Sequence, residues 1–163
     1  MQFQAIICFR NRNAGTTGSM TDIVTTSASF ESLGAVLDYL SKKDFFRDAA
    51  LGDMCNSVKH QLATGSNFTI IEKGNIVGYF GYIFISADNG EKWIKNEEKL
   101  HPLPRDISTA AALTAVAGDS RKLVLQGIRA CRDEAPGTRI FYRRISKFSD
   151  LPDPKRTVKN CRF

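Results

Sequence analysis

The segment AALTAVAGDSRKLVLQGIR, residues 111–129, decides the fold class of this chain. Its first half is a run of small and β-branched apolar residues, which is typical of a short buried strand, and Gly118-Asp119-Ser120 then forms a turn. From Arg121 onward apolar residues recur at three- and four-residue spacing, which predicts an amphipathic helix as far as Glu134. A strand that runs through a short turn into a helix is a unit of mixed α/β folds.

The segments on either side of this unit complete a mixed order of helices and strands. Ser29 is placed to cap the first helix, and Gly65 to end the second. The triplet Asp88-Asn89-Gly90 predicts a hairpin turn between two strands. Outside residues 111–134 we predict two helices, over residues 30–40 and 51–63. We also predict four strands there, over residues 67–73, 76–87, 91–95 and 138–145. We therefore expect an α+β fold with a mixed, mostly antiparallel sheet flanked by helices.

Length and composition set the class of protein. The 163 residues, 18.1 kDa, 42% apolar and 25% charged, are typical of one globular domain. We place that domain at residues 29–151, between an N-terminal extension, 1–28, and a basic tail, 152–163. No apolar run approaches the ~20 residues of a membrane span. Four scattered cysteines without a CxxC pair predict neither a zinc knuckle nor a redox pair, and favour a reducing, cytoplasmic setting.

The positive charge is concentrated at the C-terminal end. Eight basic and two acidic residues follow from Arg139, and the difference, +6, equals the net charge of the whole chain. A basic face of this kind favours an acidic protein, a nucleic acid or a phosphorylated cofactor, although a solvated tail would look the same. The candidate partner-binding residues are Arg47, Arg143, Arg144 and Arg156.

Three positions in the sequence suggest a small-molecule site. Gly118, Ser120 and Arg121 stand where a strand gives way to a helix, and free N–H groups with the helix dipole favour an anion there. Gly78 and Gly81, inside the long strand, indicate a bulge or a close approach to the backbone. His101, in a proline-rich loop, is a candidate general base, although packing within the loop is an alternative role.

With these elements in order, the chain resembles the toxin-activating lysine acyltransferases, which modify RTX hemolysin-type protoxins. The resemblance extends from Leu33 to about Leu151 and is carried by the segments LGAVLDYLSKKDFFRD (33–48), NFTIIEKGNIVGYFGYIFIS (67–86), AALTAVAGDSRKLVLQGIR (111–129) and RIFYRRI (139–145). It implies a GNAT-like fold, an acyl-acyl carrier protein or acyl-CoA as co-substrate with no resident cofactor, a protein lysine as acceptor, and a homodimer. It also implies that a thioester lies near Gly78 and Gly81 and its phosphate near Gly118–Arg121.

Two departures from the family pattern bear on catalysis. Phe46 stands where the family has its catalytic histidine, and the strand AALTAVA lacks the family's aspartate, with Thr114 its only polar residue. A phenyl ring cannot accept a proton, so another group, His101, Asp119 or a water, would have to do so. The alternative is a degenerate GNAT-like binding protein, an inhibitor or adaptor that uses its basic face. A nucleic-acid binder is a third reading, which depends on the charge alone.

Overall fold

The structure, a computed structural model, describes residues 21–47, 49–134 and 137–143. Its elements are β1 (Thr21–Val24), α1 (Phe30–Ser41), α2 (Asp44–Arg47), α3 (Leu51–Thr64), β2 (Asn67–Glu72), β3 (Asn75–Ile85), α4 (Ala87–Ile94), β4 (Ala110–Gly118), α5 (Arg121–Glu134) and β5 (Arg139–Tyr142). The strands form one sheet in the order β1-β2-β3-β4-β5, antiparallel except for the parallel pair β4–β5. The predicted mixed, mostly antiparallel sheet is confirmed.

The two faces of the sheet bury different helices, because side chains along a strand alternate between its faces. Tyr79 of β3 packs with residues of α1, α2 and α3, and Ile83 and Ile85 pack with residues of α4. Phe80 of β3 packs on the other face, against α5. The long apolar strand is therefore buried on both faces, as its unbroken apolar sequence predicts.

Helix α5 lies unusually close to the sheet at one point. A Cβ atom on Gly127 would stand 2.1 Å from the ring of Phe80, which is itself fully buried. A larger residue than glycine would therefore push α5 away from β3. The longest helices of the described residues, α3 and α5, have 14 residues each, and none of the described helices is long and apolar enough to cross a membrane.

The predicted helix ends are those that the structure shows. The Ser29 side chain accepts a hydrogen bond from the Ser32 N–H at 2.9 Å and so caps α1. Helix α3 ends at Gly65, whose φ of 66° lies in the left-handed region that glycine tolerates.

Lys73 and Gly74, both with positive φ, make the two-residue turn between β2 and β3. Strand β1 pairs with β2, although it lies within the residues that we assigned to an N-terminal extension.

The hairpin predicted at Asp88-Asn89-Gly90 is wrong, because these residues lie inside helix α4. Ser86 caps the helix by accepting a hydrogen bond from the Asn89 N–H at 3.1 Å. The buried Asn89 side chain donates to the Lys99 carbonyl and accepts from the His101 N–H, each at 2.9 Å. Gly90 packs so closely on the Phe141 ring that a Cβ would stand 2.4 Å from it. Tertiary hydrogen bonds and packing thus stabilise a helix in a segment whose local sequence predicts a turn.

Candidate functional site

The parallel strands β4 and β5 pair over only part of β4. Their ladder runs from Ala110 opposite Arg139 to Leu113 opposite Tyr142, where β5 ends, whereas β4 continues to Gly118. From Thr114 onward, no strand of the described residues pairs with β4 on the β5 side. Within the part of the chain that the structure describes, the backbone of β4 is therefore unpaired along this edge, and an extended chain could add to it as a strand does.

A β-bulge marks the start of this opening. Gly81 of β3 pairs with Ala115 and the next residue, Tyr82, pairs with Leu113, so that Thr114 is an extra residue in β4. The Thr114 hydroxyl accepts a hydrogen bond from the Gln61 side-chain amide at 2.6 Å. The bulge therefore bends β4 at the residue where its pairing with β5 ends, and a contact from α3 holds it there.

Gln61 supports the bulge from inside the core. Its side chain is fully buried, donates also to the Ser57 hydroxyl at 3.2 Å, and accepts from the Tyr79 hydroxyl at 3.0 Å. Gly81 makes room for it, since a Cβ there would stand 1.9 Å from Gln61 Oε1. Burial raises the pKa of Tyr79 well above its usual value, so this hydroxyl stays protonated and donates. The network holds the bulge in place and offers no proton acceptor for catalysis.

At its far end β4 turns into helix α5 through Gly118, Asp119 and Ser120. The Asp119 N–H donates to the Val77 carbonyl at 2.9 Å, which ties the turn to β3. The Ser120 hydroxyl accepts from the Leu123 N–H at 3.3 Å and so caps the helix. A Cβ on Gly118 would stand 2.9 Å from the Val124 side chain. The strand–turn–helix predicted here is confirmed, and it places the N-terminus of α5 directly after the turn that follows β4.

Two residues of α1 and of the turn after it reach the Asp119 carboxylate. Lys43 Nζ lies 2.5 Å and the Tyr39 hydroxyl 2.9 Å from the same atom, Asp119 Oδ1. The Lys43 ammonium also lies 4.4 Å from the centre of the Tyr39 ring, a cation–π distance. Burial, and then the hydrogen bond from Tyr39 to Asp119, raise the pKa of Tyr39 well above its usual value, so its hydroxyl stays protonated. A cation and a hydroxyl therefore stand beside the turn that precedes α5.

Phe46 belongs to the core. Only 8% of its surface is exposed, and it lies in one apolar cluster with Tyr79 and Ala115. Phe46 is therefore a packed ring that can neither donate nor accept a proton.

The two residues named as catalytic candidates lie at opposite ends of the sheet. The Asp119 N–H bonds to Val77, whereas the loop of His101 is tied to Phe84 through Leu103. Val77 and Phe84 are seven residues apart on β3, or roughly 23 Å at about 3.3 Å per residue. The His101 imidazole is exposed and lies 3.1 Å from Glu98 Oε1. His101 and Asp119 therefore do not form one site.

The two strand glycines do not line the opening. At both Gly78 and Gly81, strand β3 has a neighbouring strand on each side, β2 and β4. They also face opposite sides of the sheet, since a Cβ on Gly78 would meet Ile70 and one on Gly81 would meet Gln61. The bulge predicted from them is present, whereas the unpaired part of β4 among the described residues lies on the side of β4 that faces β5.

The arginines named for partner binding do not form one described surface. Arg47 is exposed on α2 and pairs with Asp44 at 3.3 Å. Arg143 follows β5, and its guanidinium lies 4.3 Å from the centre of the Trp93 ring in α4, where burial lowers its pKa. Arg144 and Arg156 lie outside the described residues. Among the described residues no group of three or more His, Cys, Asp or Glu side chains is placed as metal ligands would be.

Comparison with known proteins identifies the fold. No protein-family model matches the chain, and no curated protein does. Solved structures do match: a mosquito arylalkylamine N-acetyltransferase like 5b has a TM-score of 0.54 at 14% identity, over 78% of this chain and 79% of its own. A GNAT-family acetyltransferase from Streptococcus agalactiae has a TM-score of 0.53 at 11% identity, over 87% and 80%. This chain has the GNAT fold.

A third similar structure is part of a larger protein. The loading GNATL domain of CurA from Lyngbya majuscula has a TM-score of 0.54 at 13% identity, over 81% of this chain and 70% of that one. The GNAT-like fold implied by the sequence resemblance is thus confirmed. At these identities the likeness concerns the fold, and the chemistry of this chain is argued from its own residues.

Tyr39, Lys43 and Gln61 are site residues that the sequence did not single out. Only Gln61 carries a local signal, because a glutamine stands three residues after Val58 on the apolar face of α3. Tyr39 and Lys43 meet Asp119 across 80 and 76 residues of sequence, a contact that no local pattern reports.

Proposed function

We propose that this protein transfers an acyl group from a pantetheine thioester to an amine. The observation that carries the proposal is the open edge of β4, which starts at the Thr114 bulge and leads into the capped N-terminus of α5. Pantetheine is a narrow chain with two amide groups, and it can hydrogen-bond to an open strand edge as a further strand would. The GNAT fold and the resemblance to acyltransferases support the same ligand class.

The phosphate end of the donor would lie at the turn before α5. Free N–H groups and the positive end of the helix dipole favour an anion there. Arg121 is exposed at the first position of α5. Lys43, from the turn after α1, pairs with Asp119 of the turn that precedes α5. In this arrangement Asp119 positions the Lys43 ammonium. It does not act at the thioester, which would lie near Thr114, roughly 16 Å away at about 3.3 Å per residue.

The chemical step would be attack of a neutral amine on the thioester carbon. The C–N bond forms as the C–S bond breaks, the thiolate leaves, and the ammonium proton passes to water. Phe46 is packed in the core and Tyr79 stays protonated, so neither accepts this proton. Without a protein base the rate should rise with pH toward the pKa of the acceptor amine, and a missing base costs about 10²–10⁴-fold. The family resemblance favours a protein lysine as the acceptor, and acyl-acyl carrier protein or acyl-CoA as the donor.

The second candidate function is binding without turnover. It is favoured by one observation, the burial of Phe46 where the resembling family has a histidine. A protein of this kind would hold the thioester, or a partner that carries one, and would release no thiol.

A thiol-release assay with intact-mass detection distinguishes these functions. Acetyl-CoA, longer acyl-CoAs and acyl-loaded carrier protein would each be mixed with the protein and a lysine-bearing peptide, beside a control without protein. Donor-dependent thiol release with an acylated peptide supports transfer, and calorimetric binding of coenzyme A without release supports the second candidate. Absence of both binding and release, with all donors, would overturn the proposed site.

A charge substitution tests where the phosphate lies. Arg121→Ala should weaken coenzyme A binding about 5-fold, the value of one partly exposed ion pair, and leave binding of phosphate-free pantetheine unchanged. Lys59→Ala, which removes an exposed cation of α3, is the matched control and should change neither affinity. Equal losses of coenzyme A binding in the two variants would show that Arg121 acts through net charge alone.

A further inference from the structure

The solvent face of α5 carries a groove of its own, beyond the turn at its N-terminus. The groove has a volume of about 410 Å³ and is open to solvent. Of the residues that the structure describes, those that line it share one face of the helix: Arg121, Lys122, Leu125, Gln126 and Arg129. Three cations therefore surround one apolar side chain and one amide.

The three cations of the groove have no acidic partner among the described residues 21–47, 49–134 and 137–143. The ion pairs of the described residues include none made by Arg121, Lys122 or Arg129, although these side chains are exposed. Two of them stand in the first turn of α5, which contains no acidic residue, and cations are unfavourable at that end of a helix. Helix stability therefore does not explain their placement, whereas an anionic partner would.

The two remaining groove residues indicate what kind of anion fits. Leu125 lies between the cations and is 47% exposed, which gives the groove an apolar centre. The neighbouring Gln126 contributes a neutral amide to the lining and no further cation. An anion that also carries an apolar group therefore fits this groove better than a bare phosphate does.

We propose that this face of α5 docks an acidic protein helix that presents an apolar side chain. Its carboxylates would pair with Lys122 and Arg129, which are seven residues or about 10 Å apart along α5. Its apolar side chain would cover Leu125, the exposed apolar residue of the groove. A nucleic acid would satisfy the cations but would gain nothing from Leu125. The interaction requires neither bound donor nor turnover, so it goes beyond the proposed function.

Fluorescence anisotropy with a defined probe tests this surface. The probe is a labelled 18-residue helical peptide with glutamates flanking leucines at three- and four-residue spacing. The double variant Lys122→Glu/Arg129→Glu should weaken its binding at least about 10-fold, because both attractive contacts become repulsive. Lys59→Glu/Lys95→Glu makes the same change in net charge on α3 and at the end of α4, and should weaken binding less than about 2-fold.

A second variant separates the helix from a simple polyanion. Leu125→Ser should weaken the helical peptide about 5-fold and leave binding of poly-L-glutamate unchanged. Equal losses in the two double variants, or no effect of Leu125→Ser, would overturn the proposal. So would a single-stranded DNA oligonucleotide that displaces the peptide and depends on the same two cations, since the surface would then bind polyphosphate. Thermal melts of each variant confirm that it is folded, and none of them alters the residues assigned to the donor.

Discussion

Two strand-to-helix connections of this protein share a serine cap but differ in the burial of a neighbouring polar side chain. Ser86 caps α4 after β3, and Ser120 caps α5 after β4. Asn89, whose N–H is bonded to the Ser86 cap, is only 6% exposed, and its side chain hydrogen-bonds to the loop that follows α4. The polar residue beside the Ser120 cap, Asp119, keeps 44% of its side chain exposed and bonds to α1 and the turn after it.

The difference lies in what the tertiary structure does with each polar side chain. In the first connection the Asn89 side chain faces inward, where its polar groups must be paired, and it anchors the loop that follows α4. In the second connection Asp119 and Ser120 lie at the surface, where β4 turns into α5. Asp119 and Ser120 can therefore be offered to a ligand, whereas Asn89 is used within the fold, although the two connections share the same capping chemistry.

Among the substitutions that test this comparison, we expect the largest effect on stability from Gly90, in the first connection. Gly90→Ala forces a methyl group against the fully buried Phe141 ring and should lower the free energy of unfolding by about 3 kcal/mol, the upper part of the range for overpacked cores. Urea denaturation measures the change. Gly34→Ala in α1, where a Cβ meets nothing within 4 Å, is the control and should stabilise by about 0.5–1 kcal/mol. A stable Gly90→Ala protein would mean that Phe141 can move.

Removal of the Asn89 side chain should have the next largest effect. Asn89→Ala leaves the Lys99 carbonyl and the His101 N–H without their side-chain partner, which should cost about 2 kcal/mol. Hydrogen exchange should show faster exchange in the loop from Lys99 to Leu103 and unchanged exchange at α5. Asn56→Ala, at an exposed position of α3, should leave the stability within about 0.5 kcal/mol. Equal exchange in the wild-type and Asn89→Ala loops would contradict the anchoring role.

The smallest effect belongs to Tyr39, in the second connection. At pH 7 Tyr39→Phe should cost about 0.5–1 kcal/mol, since Lys43 still pairs with Asp119. Because the folded state raises the Tyr39 pKa above its usual value of about 10, its contribution is complete below pH 10 and is lost as the pH rises above it. The wild type should therefore lose more stability than Tyr39→Phe between pH 9 and 11 in denaturant titrations. Parallel losses in the two proteins would count against this role for Tyr39.

The sequence correctly predicts the elements whose signals are local. Strand β4 and helix α5 follow from one period change within residues 111–129, and the Ser29 cap and the Gly65 helix end follow from single residues. The strand–turn–helix that carries the candidate anion site is predicted for the same reason, because its parts are neighbours in the chain. The charge excess at the C-terminal end is likewise a property of sequence alone.

Only the tertiary structure decided which of these features meet. Asp88-Asn89-Gly90 is a turn by local propensity, and it is helical because Asn89 and Gly90 find partners in the loop after α4 and in β5. The opening lies between β4 and β5, since β5 ends at Tyr142 and the Gln61 network holds the bulge. His101 and Asp119 were equal candidates in sequence, and the length of β3 separates them. Short-range periodicity thus predicts the elements other than β1, α2 and α4, whereas pairing register and buried hydrogen bonds, which join distant residues, decide α4 and the site.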